Sequence, residues 1–199
     1  MGGKQRYHHG DLRTALVEAA LALIAERGVE ALSVAEAARR TGVSAAAPYR
    51  HFPTRLDLLR ATAVRAAELL SADFEVALTS ADPVVRLGEA ARVYVRFVIR
   101  HHAGLDLLFS EQLRDGDAAL GAAGRAVMDH LLPIALELTG EPHAALDLLE
   151  QLTAAAHGFA VLHLSGFLRS RAPTVEDIAE KAAALGRALA TAAQQQKRS

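Results

Sequence analysis

Basic, hydroxyl and aromatic side chains gather between residues 33 and 55, and their types suit a polyanionic partner. A guanidinium group can clamp phosphate oxygens, while hydroxyl groups and helix-end amides donate to the same oxygens. Residues 1–55 carry eight lysines and arginines against five acidic residues, whereas the rest of the chain carries 14 against 18. The net charge of −1 therefore conceals a basic N-terminal part joined to an acidic body.

Two helices are predicted in the segment that ends at Gly42. Apolar residues recur with helical spacing over Asp11–Arg27, and Gly28 follows where a helix C-terminus favours glycine. Ser33 and Glu36 form a capping box, in which each side chain satisfies the other residue's backbone amide. The short helix that they open ends at Gly42, which can adopt the positive φ of a tight turn.

A third helix is predicted over Ala45–Phe52, with Ser44 as its N-cap and Pro53 as its end. Thr54–Asp57 is another capping pattern, and it opens a further, long helix. Two short helices that are joined by a glycine turn and packed on a longer one form a helix-turn-helix, here over residues 32–52. From this pattern alone, an ordinary helical hairpin is the alternative.

The segment Val34–Leu59 as a whole resembles the TetR family of bacterial transcriptional regulators. The resemblance covers about residues 9–69. It rests on the string Gly42-Val43-Ser44, on the pair Tyr49 and Phe52, and on the capped helix that follows, all in register.

The resemblance implies a homodimer with two kinds of domain, and composition independently favours an all-α fold. Residues 1–55 would form an N-terminal three-helix domain that contains the helix-turn-helix and binds double-stranded DNA. Residues 56–199 would form a larger helical domain that binds a small-molecule effector and the second copy of the chain. The implied protein is a ligand-responsive repressor that binds a palindromic operator as a dimer.

The expected DNA contacts come from a basic arm before the first helix, from the two short helices and from the start of the fourth helix. The alanines at 45–47 can contact a thymine methyl group but cannot form the bidentate hydrogen bonds that discriminate bases. We therefore hypothesise that base selection depends on Arg39, Arg40 and Arg50, together with DNA shape. Arg55 stands where the family usually has lysine. The predicted DNA-binding residues are Lys4, Arg6, Ser33, Arg39, Arg40, Ser44, Ala45, Ala46, Ala47, Tyr49, Arg50, His51 and Arg55.

Helical patterns continue beyond residue 80, over Asp82–His101, Glu141–Arg171 and Thr174–Gln195. Small side chains recur on neighbouring turns of the last two helices, which suits a tight four-helix interface between two copies; packing within one chain is the alternative. The string Ala156-His157-Gly158-Phe159 resembles a C-terminal subtype of the family with a Trp-His-Gly signature, although alanine replaces the tryptophan. The predicted interface residues are Ala154, Gly158, Leu162, Ser165, Gly166, Ala184 and Ala188.

Aromatic, methionine and histidine side chains beyond residue 90 could line an apolar effector pocket with polar groups at its edge. A helical core has the same composition, so core packing is the alternative. The candidate effector-binding residues are Tyr94, Phe97, His101, Phe109, Met128, His130, His157 and Phe159.

Composition argues against several other classes of protein. The absence of cysteine excludes thiolate metal sites, and no two histidines have the spacing of a zinc motif, so we expect no metal and no other cofactor. No nucleophile triad, phosphate-binding loop or dinucleotide motif is visible, so we do not expect an enzyme. No apolar run approaches the length of a membrane span, and a cytoplasmic protein is expected. The alternatives are an all-α enzyme or carrier with an incidental helix-turn-helix, and a non-specific architectural DNA binder.

Overall fold

The computed structural model describes residues 9–102, 107, 117–167 and 174–198. Within these ranges the chain is helical and contains no strand, which confirms the predicted all-α fold. Two single turns of 3-10 helix, Val29–Ala31 and Pro48–Arg50, lie in the first part of the chain. The α-helices are α1 His9–Arg27, α2 Val34–Thr41, α3 Arg55–Ala77, α4 Pro83–His101, α5 Ala118–Thr139, α6 Pro142–Leu164 and α7 Val175–Arg198.

Reciprocal side-chain caps fix the starts of α3 and α7. The Thr54 hydroxyl accepts a hydrogen bond from the Asp57 amide at 3.1 Å, and the Asp57 carboxylate accepts one from the Thr54 amide at 2.9 Å. Thr174 and Asp177 repeat this geometry at α7. Hydrogen bonds from the threonines stabilise the charged carboxylates, and this lowers the pKa of both Asp57 and Asp177. The capping pattern predicted at Thr54 is confirmed.

The cap of α2 has only half of the predicted capping box. The Ser33 hydroxyl accepts a hydrogen bond from the Glu36 amide at 3.1 Å, as expected. The Glu36 carboxylate, however, binds the guanidinium groups of Arg27 and Arg39 instead of returning to the Ser33 amide. Charge-assisted bonds to two guanidinium groups are stronger than one bond to a neutral amide, and they draw the side chain away.

The prediction of a third α-helix over Ala45–Phe52 is wrong. Residues 45–47 form a turn, and Pro48–Arg50 is a turn of 3-10 helix. Because Pro48 has no amide hydrogen, it cannot donate to the Ser44 carbonyl, which accepts instead from Ala47 at 3.1 Å. The segment tightens to the i→i+3 pattern of a 3-10 helix, so the second short helix is replaced by two successive turns.

α6 is shorter than predicted and ends at Leu164. Gly166 has a φ of 76°, and the amide of Phe167 returns to the Leu162 carbonyl at 3.1 Å. This is the glycine-dependent helix end known as the Schellman motif. Ser165 and Gly166 therefore terminate the helix, whereas the sequence pattern placed them inside it.

α3 is buried along one face from its first turns to its last. It packs against α1 on one side and against α4 and α5 on the other. The predicted domain boundary after residue 55 falls at its first residue, so α3 belongs to the predicted second domain while packing on the first. Its buried residues are Leu58, Leu59, Thr62, Ala63, Ala66, Ala67, Leu70 and Phe74.

α4 and α7 cross closely because glycine stands on both helices at the crossing. A Cβ on Gly88 would lie 2.6 Å from Cγ of Arg187 and 3.0 Å from the Ala183 carbonyl oxygen. A Cβ on Gly186 would lie 3.2 Å from the Leu87 carbonyl oxygen. The two backbones are therefore closer than any pair of larger residues would allow.

Ion pairs bind α4 to α7 beside this crossing. Arg92 contacts both Glu176, at 3.0 Å, and Glu180, while Arg96 contacts Glu176 at 2.6 Å. The hydrogen bond from Arg96 lowers the pKa of Glu176, and those from Arg187 and Arg92 lower the pKa of Glu180. These contacts fix the rotation of α7 against α4.

We expect Gly88→Ala to lower the free energy of unfolding by about 1–3 kcal/mol, because the added methyl group overpacks the crossing. Gly124→Ala in α5 is the matched control, since a Cβ there meets nothing within 4 Å. That substitution should raise stability by about 0.5–1 kcal/mol through helix propensity alone. Urea denaturation of both variants measures the difference, and a Gly88→Ala protein as stable as the Gly124→Ala protein would contradict the close crossing.

Candidate nucleic-acid interface and effector site

The segment Ser44–Arg50 lies on the surface of the N-terminal part. Pro48 and Phe52 are buried and anchor it, and the Arg13 guanidinium lies 5.0 Å from the centroid of the Phe52 ring. The predicted contact residues thus stand on a small platform that projects from α1 and α2. Its exposed members are Ser44, Ala45, Ala46, Tyr49 and Arg50, and its half-buried members are Ala47 and His51.

Two of the arginines predicted to select bases bind carboxylates within the protein. Arg39 contacts Glu36 at 2.6 Å, although its side chain is 67% exposed. Arg40 contacts Glu26 and thereby joins α2 to α1, as does the 3.3 Å contact between Arg27 and Glu36. Hydrogen bonds from Arg39 and Arg40 lower the pKa of Glu36 and of Glu26, respectively. Both carboxylates therefore remain ionised and keep the arginines occupied.

Arg50 is placed differently from these two arginines. It is exposed beside Tyr49, and its guanidinium forms no hydrogen bond or ion pair with the part of the chain that the structure describes. Of the three arginines in the base-selection hypothesis, it is the one that can approach DNA without first breaking an internal bond.

Arg55 has a structural role that the sequence did not indicate. Its Nε donates to the Leu32 carbonyl and its Nη2 to the Val29 carbonyl, each at 2.8 Å, and Nη2 lies 3.9 Å from Glu30. These bonds tie the start of α3 to the chain that connects α1 with α2. The guanidinium therefore has a structural role in the fold, although the Arg55 side chain is 43% exposed.

Tyr94 and His157 form a polar pair inside the C-terminal part. Tyr94 Oη and His157 Nδ1 share a hydrogen bond of 3.3 Å, and Tyr94 is only 7% exposed. Tyr94 also lines a small cavity of about 20 Å³ between α3, α4, α5 and α6. The structure therefore brings two of the predicted effector residues together beside a cavity.

His130 forms a second pair, with Ser71 of α3. His130 Nε2 and Ser71 Oγ are 2.8 Å apart, and the His130 ring meets Phe74 edge-on, with 6.2 Å between the ring centroids. Phe74 lines the same cavity as Tyr94, so the two hydroxyl–imidazole pairs flank it.

None of the other predicted effector residues that the structure describes lines this cavity. Phe97 is buried and packs on His101, with 4.7 Å between the ring centroids. Burial, with a smaller contribution from Arg100, lowers the pKa of His101. The remaining predicted residues, Met128 and Phe159, are partly buried against the core, and Phe109 lies outside the described residues.

A larger cleft of about 770 Å³ lies between α1, α3 and the start of α5, but it does not contain the predicted effector residues. Its charged groups face one another. The Arg65 Nε donates to Glu18 at 2.7 Å, and the Arg60 Nε is 3.9 Å from Asp117. The described lining of this cleft carries three arginines and four carboxylates, so it offers no excess positive charge to an anionic ligand.

The predicted interface residues lie on the outer surface of α6 and α7. A Cβ on Gly158 would meet nothing within 4 Å, so packing inside the chain does not require glycine there. Three other alanines of α7, Ala182, Ala183 and Ala190, are buried in the core. The exposed interface candidates are Ala154, Leu162, Ser165, Ala184 and Ala188, and the half-buried ones are Gly158 and Gly166.

Residues 9–102, 117–167 and 174–198 bring together no group of three His, Cys, Asp or Glu side chains that could hold a metal ion. In the same ranges no helix combines the length and the apolar character that crossing a membrane requires.

Two family models match the chain, one on each part. The model described as bacterial regulatory proteins of the tetR family matches residues 16–62, within the segment on which the resemblance was recognised. The model described as the tetracyclin repressor-like C-terminal domain matches residues 87–186, about half of the chain. The chain belongs to the TetR family. It is therefore a DNA-binding transcriptional regulator.

Solved structures agree with this assignment to the TetR family. A protein with unknown function from Rhodococcus sp. RHA1 is 31% identical, with a TM-score of 0.75 over 93% of this chain and 98% of that one. A TetR-family regulator from Streptomyces coelicolor is 22% identical, with a TM-score of 0.72 over 96% and 86%. A TetR variant from Acinetobacter baumannii AYE in complex with minocycline shares the fold at 16% identity, with a TM-score of 0.64 over 98% and 100%. No curated protein matches the chain in sequence.

Sequence reasoning missed several side chains that organise this TetR-family regulator. Ser71 shares a helix face with Phe74, three residues on, and this spacing could have placed it beside the cavity. Glu26 and Glu36 could have been matched with Arg40 and Arg27 once α1 and α2 were known to cross. The basic arm residues Lys4 and Arg6 lie outside the described residues.

We expect Arg55→Met to lower the free energy of unfolding by about 1.5–3 kcal/mol, because two carbonyls lose charge-assisted hydrogen bonds. The matched control, Arg50→Met, should leave stability within about 0.5 kcal/mol, since it removes no internal bond. Thermal denaturation without DNA separates the two roles. Equal stability of the two variants would show that the hydrogen bonds of Arg55 do not stabilise the fold.

Proposed function

We propose that this protein is a ligand-responsive repressor that acts in the cytoplasm and binds a palindromic operator as a homodimer. The observation that carries the proposal is the exposed platform at Ser44–Arg50, held on a rigid base while its side chains face outward. Such a platform suits insertion into a major groove, where the bases are distinguishable. The described site residues support binding, and no step of catalysis is part of the proposal.

The contacts to DNA divide into two kinds. Ser44 and Tyr49 donate hydroxyl groups to backbone phosphates, while His51 stands at the edge of the same platform. Arg50 contacts a base, and Ala45 and Ala46 pack against thymine methyl groups. Arg39 can add a phosphate contact at the cost of its bond with Glu36, whereas Arg40 and Arg55 chiefly orient α2 and α3.

The homodimer uses the outer face of α6 and α7. Several large apolar residues are exposed around the small residues of this face. Monomeric proteins rarely expose so many large apolar side chains together, and a partner that covers the face accounts for them. Phe167 is 73% exposed. The other exposed apolar residues of these two helices are Leu146, Val161, Leu162, Leu164, Val175 and Leu185.

α3 connects effector binding with DNA binding. Near its C-terminal end Phe74 lines the cavity and Ser71 bonds His130, whose ring packs on Phe74. At its N-terminal end Arg55 holds the carbonyls of Val29 and Leu32 ahead of α2. An effector that enters beside Phe74 displaces α3 and changes the separation of the two platforms of the dimer. Its differential affinity for the two arrangements shifts their populations.

The solved relatives support a small-molecule effector. One of them was solved in complex with minocycline, and another, from Bacillus halodurans, is described as a fatty acid degradation regulator. The fold shared with them includes the helices that surround the cavity. Assignment to the subtype with the Trp-His-Gly signature stays a prediction that rests on residues 156–159.

Selection of bound sequences from random duplex DNA should recover a palindrome whose half-sites are about one helical turn, or a small multiple of it, apart. Arg50→Ala should cost about 1–3 kcal/mol on the recovered site and relax the preference at one position of each half-site. Arg39→Ala is the control, and it should weaken binding to all sequences alike. Recovery of unrelated sequences, with equal affinity for random DNA, would reject the proposal.

We expect Gly158→Gln to convert the dimer into monomers in sedimentation equilibrium, because the added side chain enters the interface without disturbing its own chain. Gly124→Gln is the matched control, since it adds the same side chain to a helical glycine with equally free space on α5. It should remain dimeric. If both variants keep the same association constant as the wild type, the interface lies elsewhere.

A further inference from the structure

Among the residues that the structure describes, no ionised side chain lines the cavity between α3, α4, α5 and α6. Its walls are formed by Phe74, Tyr94 and Thr153, and by alanine and leucine side chains. Transfer of a charged group into such surroundings is costly unless a counter-charge is present. The walls therefore favour an uncharged occupant.

Three hydroxyl groups supply the polar character of this cavity and its edge. The Tyr94 hydroxyl is bonded to His157, and the Ser71 hydroxyl to His130, which packs on Phe74. A hydroxyl can donate and accept, and a neutral imidazole does either according to its tautomer. Each pair can thus adapt to a donor or to an acceptor on a ligand.

Thr153 differs from the other two hydroxyl residues. It lines the cavity, and its side chain forms no hydrogen bond within the part of the chain that the structure describes. A threonine on a helix often donates to the carbonyl four residues earlier, as Thr139 and Thr62 do here. The Thr153 hydroxyl is available to a ligand instead.

We propose that the effector is an uncharged, largely apolar molecule with hydroxyl or carbonyl groups, which Tyr94 and Thr153 bind directly. This rests on the proposed function in placing the effector beside α3. Apolar walls provide the affinity and the hydroxyl groups fix the orientation. An acid or an amine of the same shape lacks a counter-charge and is rejected.

The size of the cavity sets a condition on binding. About 20 Å³ holds roughly one water molecule, so the ligand binds a state in which the helices have separated. Phe74 of α3 is part of the wall that must move. Occupancy therefore selects the displaced position of α3.

A matched set of probes tests the class of effector. 2-Naphthol, 2-naphthoate and 2-naphthylmethylamine share one apolar body and differ in charge. Titration calorimetry with the full-length protein should show binding of 2-naphthol and at least tenfold weaker binding of both charged probes, which equals about 1.4 kcal/mol. Tighter binding of 2-naphthoate, or no binding of 2-naphthol up to its solubility, would overturn the proposal.

Variants locate the bound probe. Tyr94→Phe and Thr153→Val should each weaken 2-naphthol binding about threefold to tenfold, the effect of one hydrogen bond. Thr191→Val is the control, because Thr191 lies on α7 and its hydroxyl donates to the Arg187 carbonyl. Equal effects of Thr191→Val and Thr153→Val would overturn the site, and circular dichroism confirms that each variant is folded.

Operator binding separates this inference from the proposed function. If 2-naphthol binds at Tyr94 and Thr153 and lowers operator affinity, both stand. If it binds there and leaves operator affinity unchanged, the ligand class stands and the proposed ligand response fails. If 2-naphthoate is the probe that binds and releases the operator, the response stands and the uncharged class is overturned.

Discussion

The buried face of α3 is the constraint on which the rest of this structure depends. One helix must satisfy two packing surfaces, because its apolar side packs on α1 and also on α4 and α5. If α3 were rotated about its axis to suit only one of these surfaces, leucines and alanines on the other would be exposed. The cost in free energy would be about 25 cal/mol for each Å² of apolar surface returned to water. The N-terminal and C-terminal parts are therefore mechanically joined through a continuous core.

Small residues determine how closely the remaining helices approach this shared element. Alanines fill much of the core, and the glycines at the crossing of α4 and α7 bring two backbones nearly into contact. Close approach increases dispersion contacts without large side chains, which is how a chain with 5% aromatic residues packs a core. The small side chains at the crossing of α4 and α7 do little to fix how one helix is rotated against the other. The salt bridges of Arg92 and Arg96 fix this rotation.

The sequence predicted those features that arise from local rules. The cap at Thr54, the helix ends at Gly28 and Gly42 and the all-α class follow from spacing and residue type, and the structure confirms them. The helix predicted over Ala45–Phe52 from Ser44 and Pro53 does not form, because Pro48 has no amide hydrogen to donate to the Ser44 carbonyl. The bonds of Arg55 could not be found in this way, since they join residues more than 20 positions apart and depend on a tertiary arrangement. Only some of the residues beside the cavity could be predicted. A pocket wall and a core have the same composition, so the sequence does not tell one from the other.

The salt bridges that arginines near the platform form within the protein affect how strongly DNA binding depends on ionic strength. DNA binding that releases condensed counterions weakens with added salt, with a slope of about −0.9 for each phosphate that the protein neutralises. Arg40 is paired with the Glu26 carboxylate and adds little net positive charge beside the duplex, whereas Arg55 is held by neutral carbonyls and keeps its charge. A regulator built in this way tolerates salt better than its count of basic residues suggests, and its preference for one sequence over another depends correspondingly more on shape and on apolar contact.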